Sequence, residues 1–304
     1  MKIVVTGSSG TIGTRLCEKL LEKGEDVVGV DWQPNVWHPA IEKRTIRMDL
    51  RDDSLLKNLP AEADVVIHLA ANARVYELVE HPNRARDNFI TLFNTLEYAR
   101  RNKIQKFIFA SSREGYGNVP EEVLREDMVR VENCESPYTA SKVGGEALVH
   151  AYASCYRIAP VILRFSNVYG MYDNSVRVVP QFIRSARAGE PLAVYGEEKC
   201  LDFTYIDDAV AGILLVLEKY KVAAAAETFN IAYGEGAKLV DLASLIIQLT
   251  KSSSRISIKK SRTGEIIRYV ADISKAKTLL GFAPKTPFTE GVAKAVAWYG
   301  QHQK

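Results

Sequence analysis

Short apolar runs without polar alternation recur through the first half of the chain, at residues 2–7 (KIVVTG), 26–31 (DVVGVD), 63–71 (ADVVIHLAA), 106–112 (KFIFASS) and 159–167 (APVILRFSN). Between them lie amphipathic segments, among them 14–24 (TRLCEKLLEKG), a long stretch ending near Asn102, and 138–154 (YTASKVGGEALVHAYAS). Strands that are apolar on both faces and alternate with helices predict a parallel sheet covered on each side. The pattern therefore predicts an α/β fold with a doubly wound parallel sheet over roughly the first 165 residues.

Past Asn167 the chain turns to loops rich in Gly, Pro and Tyr, with helices predicted at 178–189, 207–220, 238–250 and near the C-terminus. This predicts a smaller, partly interleaved α/β unit over the carboxyl ends of the strands, where such sheets bind ligands. The expected division gives 1–167 plus about 201–233 to the sheet domain, and about 168–200 with 234–304 to the smaller one. No internal repeat or low-complexity tract stands out.

Composition narrows the class without naming it. The 304 residues are 47% hydrophobic and 25% charged, ordinary for a globular chain. The net charge of +3 is close to neutral and the basic residues are scattered, so no nucleic-acid partner is expected. Cys17, Cys134, Cys155 and Cys200 are far apart and form no CxxC or Cys/His pattern. They read as reduced thiols, with no metal site, in a cytoplasmic protein. The start MKIVVTG is too short for a secretory core, and no uninterrupted apolar stretch approaches about 18 residues. Neither secretion nor a membrane span is expected.

Candidate chemistry begins directly after the first run, in TGSSGTIG. Gly7 permits a tight turn, Gly10 lets the backbone approach a pyrophosphate, and Gly13 lets the following helix pack on the sheet with its N-terminus facing the anion. The spacing is GxxGxxG, whereas the usual Rossmann fingerprint is GxGxxG; by itself it also suits an ordinary strand-to-helix turn. Asp31 ends the second strand at the distance where a carboxylate grips adenosine ribose hydroxyls, which favours NAD over NADP. Asp49 and Leu50 after the third strand, and Leu69, Ala70 and Ala71 after the fourth, fall where the cofactor should be lined.

Tyr138 and Lys142 are four apart on a predicted helix and share a face. A free phenol, with a pKa near 10, is a poor base, and a neighbouring cation lowers it by roughly 1 to 3 units. Lys142 and a positively charged nicotinamide would supply that field. Tyr138 could then take a proton from a sugar hydroxyl while hydride leaves for the cofactor. Alone, such a pair is more often a solvated helix face. The glycine loop, Asp31 and a hydroxyl at Ser112 make it a constellation.

Together TGSSGTIG, HLAA, SSREGYG, YTASK followed by GGE, LRFSNVYG, DFTYIDDA and RTGE with ADISKAKTLLGFAP resemble the extended short-chain dehydrogenase/reductase family. The resemblance runs almost end to end and lies in the NAD-dependent nucleotide-sugar epimerase/dehydratase branch, UDP-glucose 4-epimerase-like. It implies NAD as cofactor and a UDP-sugar as substrate. Thr11, Ile12, Asp31, Asp49, Leu50, Ala70, Ala71, Asn88, Tyr138 and Lys142 would line the NAD site, with Ser112, Tyr138 and Lys142 catalytic. Asn167, Arg262 and Glu265 would fall where the family holds the nucleotide's diphosphate and ribose. It also implies a homodimer, built on the helix that follows Tyr138 and a long helix over 77–101. Three departures stand out. Many relatives read Arg-Asp-Phe where this chain has Leu201-Asp202-Phe203, with Lys199 as a substitute cation; Glu265 replaces a common aspartate; Thr91-Leu92 replaces Gly-Thr.

Ser112-Arg113-Glu114 bears on the reaction. A 4-epimerase needs only the Ser, Tyr and Lys set, because a transient 4-keto sugar rotates and takes hydride back. Family dehydratases and decarboxylases often carry Glu at the position of Glu114, yet the acid that a 4,6-dehydratase uses is here Arg113, which cannot donate a proton at neutral pH. Arg113 could instead bind a C6 carboxylate, or form a salt bridge with Glu114 or Glu121. A 4-epimerase is the favoured reading. A dehydratase or decarboxylase using Glu114, and a non-catalytic NAD-binding regulator, remain alternatives.

Overall fold

A computed structural model describes residues 1–302 of the chain. The strands are β1 (Lys2–Thr6), β2 (Asp26–Asp31), β3 (Thr45–Arg47), β4 (Val65–His68), β5 (Lys106–Ser112), β6 (Ala159–Phe165), β7 (Asn167–Tyr169), β8 (Leu192–Tyr195), β9 (Cys200–Tyr205), β10 (Thr228–Ile231), β11 (Gly236–Lys238), β12 (Ile256–Lys259) and β13 (Arg268–Tyr269). Seven form one parallel sheet in the order β10-β6-β5-β4-β1-β2-β3. The order reverses direction beside β1, so the crevice for a ligand opens at the carboxyl ends of β1 and β4. The doubly wound α/β architecture is the one the apolar runs predict.

The runs lack polar alternation because both faces are buried. Ile3 and Val5 of β1 join the cluster that includes Leu16 and Leu20 of the helix Thr11–Glu22 and Ile213 of the helix Ile206–Glu218. Val4 points the other way, into a cluster with Leu92 and Leu96 of the helix Asn83–Arg101 and Val149 of the helix Pro137–Tyr156. The two-residue period of a strand sends successive side chains into opposite layers.

A second sheet lies along the chain's later half, with β9 between β11 and β13 and pairing also with β7; β8 and β12 form a separate parallel pair.

The long helix expected over 77–101 is two helices, Val75–Glu80 and Asn83–Arg101. His81 leaves helical geometry at φ −129°, directly before Pro82. Proline has no N–H to donate and its ring disfavours helical backbone in the residue before it, so the break belongs there. The helix Pro137–Tyr156 starts cleanly: the Ser136 hydroxyl caps the Thr139 N–H at 3.1 Å and Pro137 occupies the first turn.

Candidate active site

A cleft of about 930 Å³ runs across the carboxyl ends of the large sheet and under residues of the smaller one. At its β1 end Gly7 has φ +73°, and a Cβ there would stand 2.8 Å from the Ala70 nitrogen. A Cβ on Gly13 would meet the Gly7 carbonyl oxygen at 2.0 Å, so the first helix turn lies against the loop as the glycine spacing requires. The first turn of the helix Thr11–Glu22 has no side-chain cap, which leaves N–H groups for an anion. The Ser9 hydroxyl beside it is buried without a partner.

Asp31, at the end of β2, accepts the Ser9 N–H at 3.0 Å and the Gln33 N–H at 2.8 Å, while burial pushes its carboxyl upward. Ile12, Leu50, Leu69, Ala70 and Ala71 line the cleft between these points. Asp49 lines it too, but its carboxylate clamps the Arg51 guanidinium at 2.6 Å, and Arg51 reaches Asp87 at 3.0 Å. The Thr11 hydroxyl donates to the Tyr172 carbonyl at 3.3 Å. Asn88 accepts the Asn72 N–H at 2.7 Å and donates to Ser141 at 3.1 Å, which fixes the backbone just past β4. A glycine cradle, an orphaned hydroxyl, free helix-turn donors and a carboxylate one strand away fit a dinucleotide pyrophosphate and its ribose.

Ser112, Tyr138 and Lys142 converge where β5 ends, and all three are buried. Ser112 lies beside Tyr138 and favours the ionised form of its phenol. Lys142 donates to the Ala110 carbonyl at 2.8 Å, and its ammonium lies 5.1 Å from the Phe109 ring centre. Burial pushes the lysine down to about 8. The expected depression of the tyrosine does not hold in the free protein. Desolvation raises the Tyr138 phenol and Glu114 adds to the rise, whereas Ser112, Arg177 and Arg113 oppose it. Lys142 gives one hydrogen bond to a carbonyl of β5 and keeps its charge, and a positively charged cofactor would add to the field that acidifies the phenol.

Past Ser112 in the cleft, Arg113 pairs with the buried Glu114 at 2.7 Å, the salt bridge that the sequence left open, and it donates to the Asn167 side chain at 3.1 Å. Burial raises the Glu114 carboxyl, and Arg113 holds it back. Asn167 in turn donates to the Asp202 carbonyl at 3.0 Å. Glu265 is hydrogen-bonded to the buried Lys199 and stands 4.0 Å from Arg262. Arg262 lies 3.8 Å over the Tyr195 ring and 4.9 Å over that of Tyr76. The sequence had singled out neither tyrosine, nor Ser9, nor Arg177; all four line the cleft. Ser9 was legible as the variable position inside GxxG, while the others sit in segments with no motif of their own.

The model of the NAD dependent epimerase/dehydratase family matches residues 3–232. Over 98% of this chain and 98% of the relative, the sequence is 33% identical to a Bacillus subtilis protein described as an uncharacterized UDP-glucose epimerase. It is 30% identical, over 98% of each chain, to a dTDP-glucose 4,6-dehydratase of Actinoplanes. The structure of UDP-glucuronic acid 4-epimerase from Bacillus cereus, in complex with UDP-glucuronic acid and NAD, superposes with a TM-score of 0.90 at 31% identity, covering 99% of this chain and 100% of that one.

Replacing Asp31 with Asn should weaken NAD binding by about 10- to 100-fold, the worth of a hydrogen bond to a charged group. Titration calorimetry reads this directly, and an unchanged dissociation constant would remove Asp31 from the cofactor site.

Proposed function

The chain belongs to the NAD dependent epimerase/dehydratase family, and from that premise we propose that it is a cytoplasmic, homodimeric 4-epimerase of a UDP-hexose or UDP-hexuronate. NAD, held along the cleft by the glycine loop and Asp31, would supply the hydride acceptor and donor. The protein's own groups manage the proton. Tyr138 takes the proton of the C4 hydroxyl, and Ser112 hydrogen-bonds the same oxygen so that it stays aligned through the transient 4-keto sugar. The Lys142 ammonium keeps a positive field on that corner of the site, which favours the phenolate. Arg262 would receive the diphosphate, with a planar fork suited to phosphate oxygens, and Lys199, paired with Glu265, would add positive charge beside it.

The observation that carries the choice of reaction is the Arg113 to Glu114 ion pair. Loss of the C6 hydroxyl needs an acid and a base in addition to Tyr138. Position 113 holds a guanidinium that donates no proton, and that guanidinium engages the one carboxylate beside Ser112. Epimerisation needs neither group.

The test is turnover of UDP-glucose, UDP-galactose and UDP-glucuronate in deuterium oxide, with products separated and absorbance followed at 340 nm. A 4-epimer free of deuterium at C5 is expected. Deuterium at C5, a 4-keto-6-deoxy sugar or released carbon dioxide would overturn the epimerase assignment, and no product with no bound NADH would overturn the enzyme reading altogether.

The dimer rests on the neighbouring helices Asn83–Arg101 and Pro137–Tyr156, which expose Phe89 (37%), Phe93 (47%) and Tyr156 (49%). Light scattering should give twice the 33.9 kDa chain mass, and Phe93→Glu should return it to the single-chain value. A monomer in the unaltered protein contradicts the pairing.

A further inference from the structure

The reacting trio is held by a charged group that touches none of the reactants. Glu146 follows Tyr138 and Lys142 at the same four-residue spacing, so the three side chains lie on one face of the helix Pro137–Tyr156. Its carboxylate is buried. One oxygen accepts the Ser111 hydroxyl and the Arg164 Nε at 2.9 Å, and the other accepts the Arg164 Nη2 at 2.7 Å. Two consecutive residues of β5 thus bond two successive turns of the helix. Ala110 takes Lys142 through its carbonyl and Ser111 takes Glu146, while Ser112 lies beside Tyr138.

We propose that Glu146 is a positioning residue for this site, clamping the helix to β5 and supplying the counter-charge that keeps the Lys142 ammonium protonated beside Tyr138. On the helix of Lys142 stand Tyr138 and Glu146; β4 brings His68, which the Lys142 charge acts on, and Arg164 of β6 is joined to Glu146. Burial drives His68 down to about 3, so it is a neutral neighbour. Glu146 is the group whose charge raises Lys142 against the desolvation that lowers it. Removing that charge makes the ammonium lose its proton at lower pH. The proposal builds on Lys142 as part of the working site, so its test also reads a quantity that needs no turnover.

In NAD-loaded protein carrying 13C-labelled lysine, the Lys142 Cε resonance is identified by its loss in Lys142→Arg and titrated with pH. Glu146→Gln should lower its midpoint by about one pH unit, the usual effect of losing an opposite charge nearby. The alkaline limb of the kcat profile should move with it. Ser111→Ala, which removes a clamp contact but no charge, should leave both in place. Because Glu146→Gln strands the buried Arg164 cation, the double variant Glu146→Gln with Arg164→Met carries the same measurement with no unpaired charge, and the lowered midpoint should persist. A midpoint unchanged in Glu146→Gln, or one restored in the double variant, overturns the counter-charge role. If no sugar is turned over at all, the functional reading fails while the lysine titration still decides the role of Glu146.

Discussion

The docking of the helix Pro137–Tyr156 on the last three residues of β5 is the constraint on which the site depends. The strand end is held in register by β6, where Ala110, Ser111 and Ser112 pair with Leu163, Arg164 and Phe165, while β4 pairs with β5 as far as Phe109. The helix is rigid because it is capped at Ser136 and bonded to Ala110 and Ser111 of the strand, with Ser112 beside Tyr138. A hydroxyl from the strand and a phenol from the helix are thereby brought to one point. Catalytic groups on such elements are held more precisely than groups on loops.

Burial at that point sets the electrostatics. Desolvation works against the ionised form of every group there: it raises Tyr138 and Glu114 and lowers Lys142. The free protein therefore keeps its phenol protonated, and on the proposed function a positively charged cofactor beside Tyr138 would turn a resting phenol into a working base. Charge pairing limits what else the site can do. Arg113 engages Glu114, Glu265 engages Lys199, and Arg164 engages Glu146, so each of these charges has a partner of opposite sign.

Much of this was legible in the sequence because it depends on local pattern. Uniformly apolar runs marked the parallel strands, the glycines marked the loop between β1 and its helix, and the four-residue step from Tyr138 to Lys142 marked a shared helix face. The break at His81-Pro82 was readable from the proline and was overridden by the helical periodicity on either side. What depended on distant contacts was not legible. Nothing in the neighbourhood of Tyr76, Tyr195 or Arg262 signals that the three meet, since the stacking joins segments more than sixty residues apart. Nor does helix spacing reveal that Lys142 bonds a strand carbonyl, because that depends on how deeply the helix settles on β5.

The central claim is that Tyr138, beside Ser112 at the end of β5, is the group that moves the proton. Tyr138→Phe removes one oxygen and keeps the ring's packing, so the most direct measurement is its kcat on the sugar that the native protein turns over, taken with its NAD content. The account predicts a fall of about 10²- to 10⁴-fold with NAD still bound. Turnover within a few-fold of the unaltered protein would contradict it.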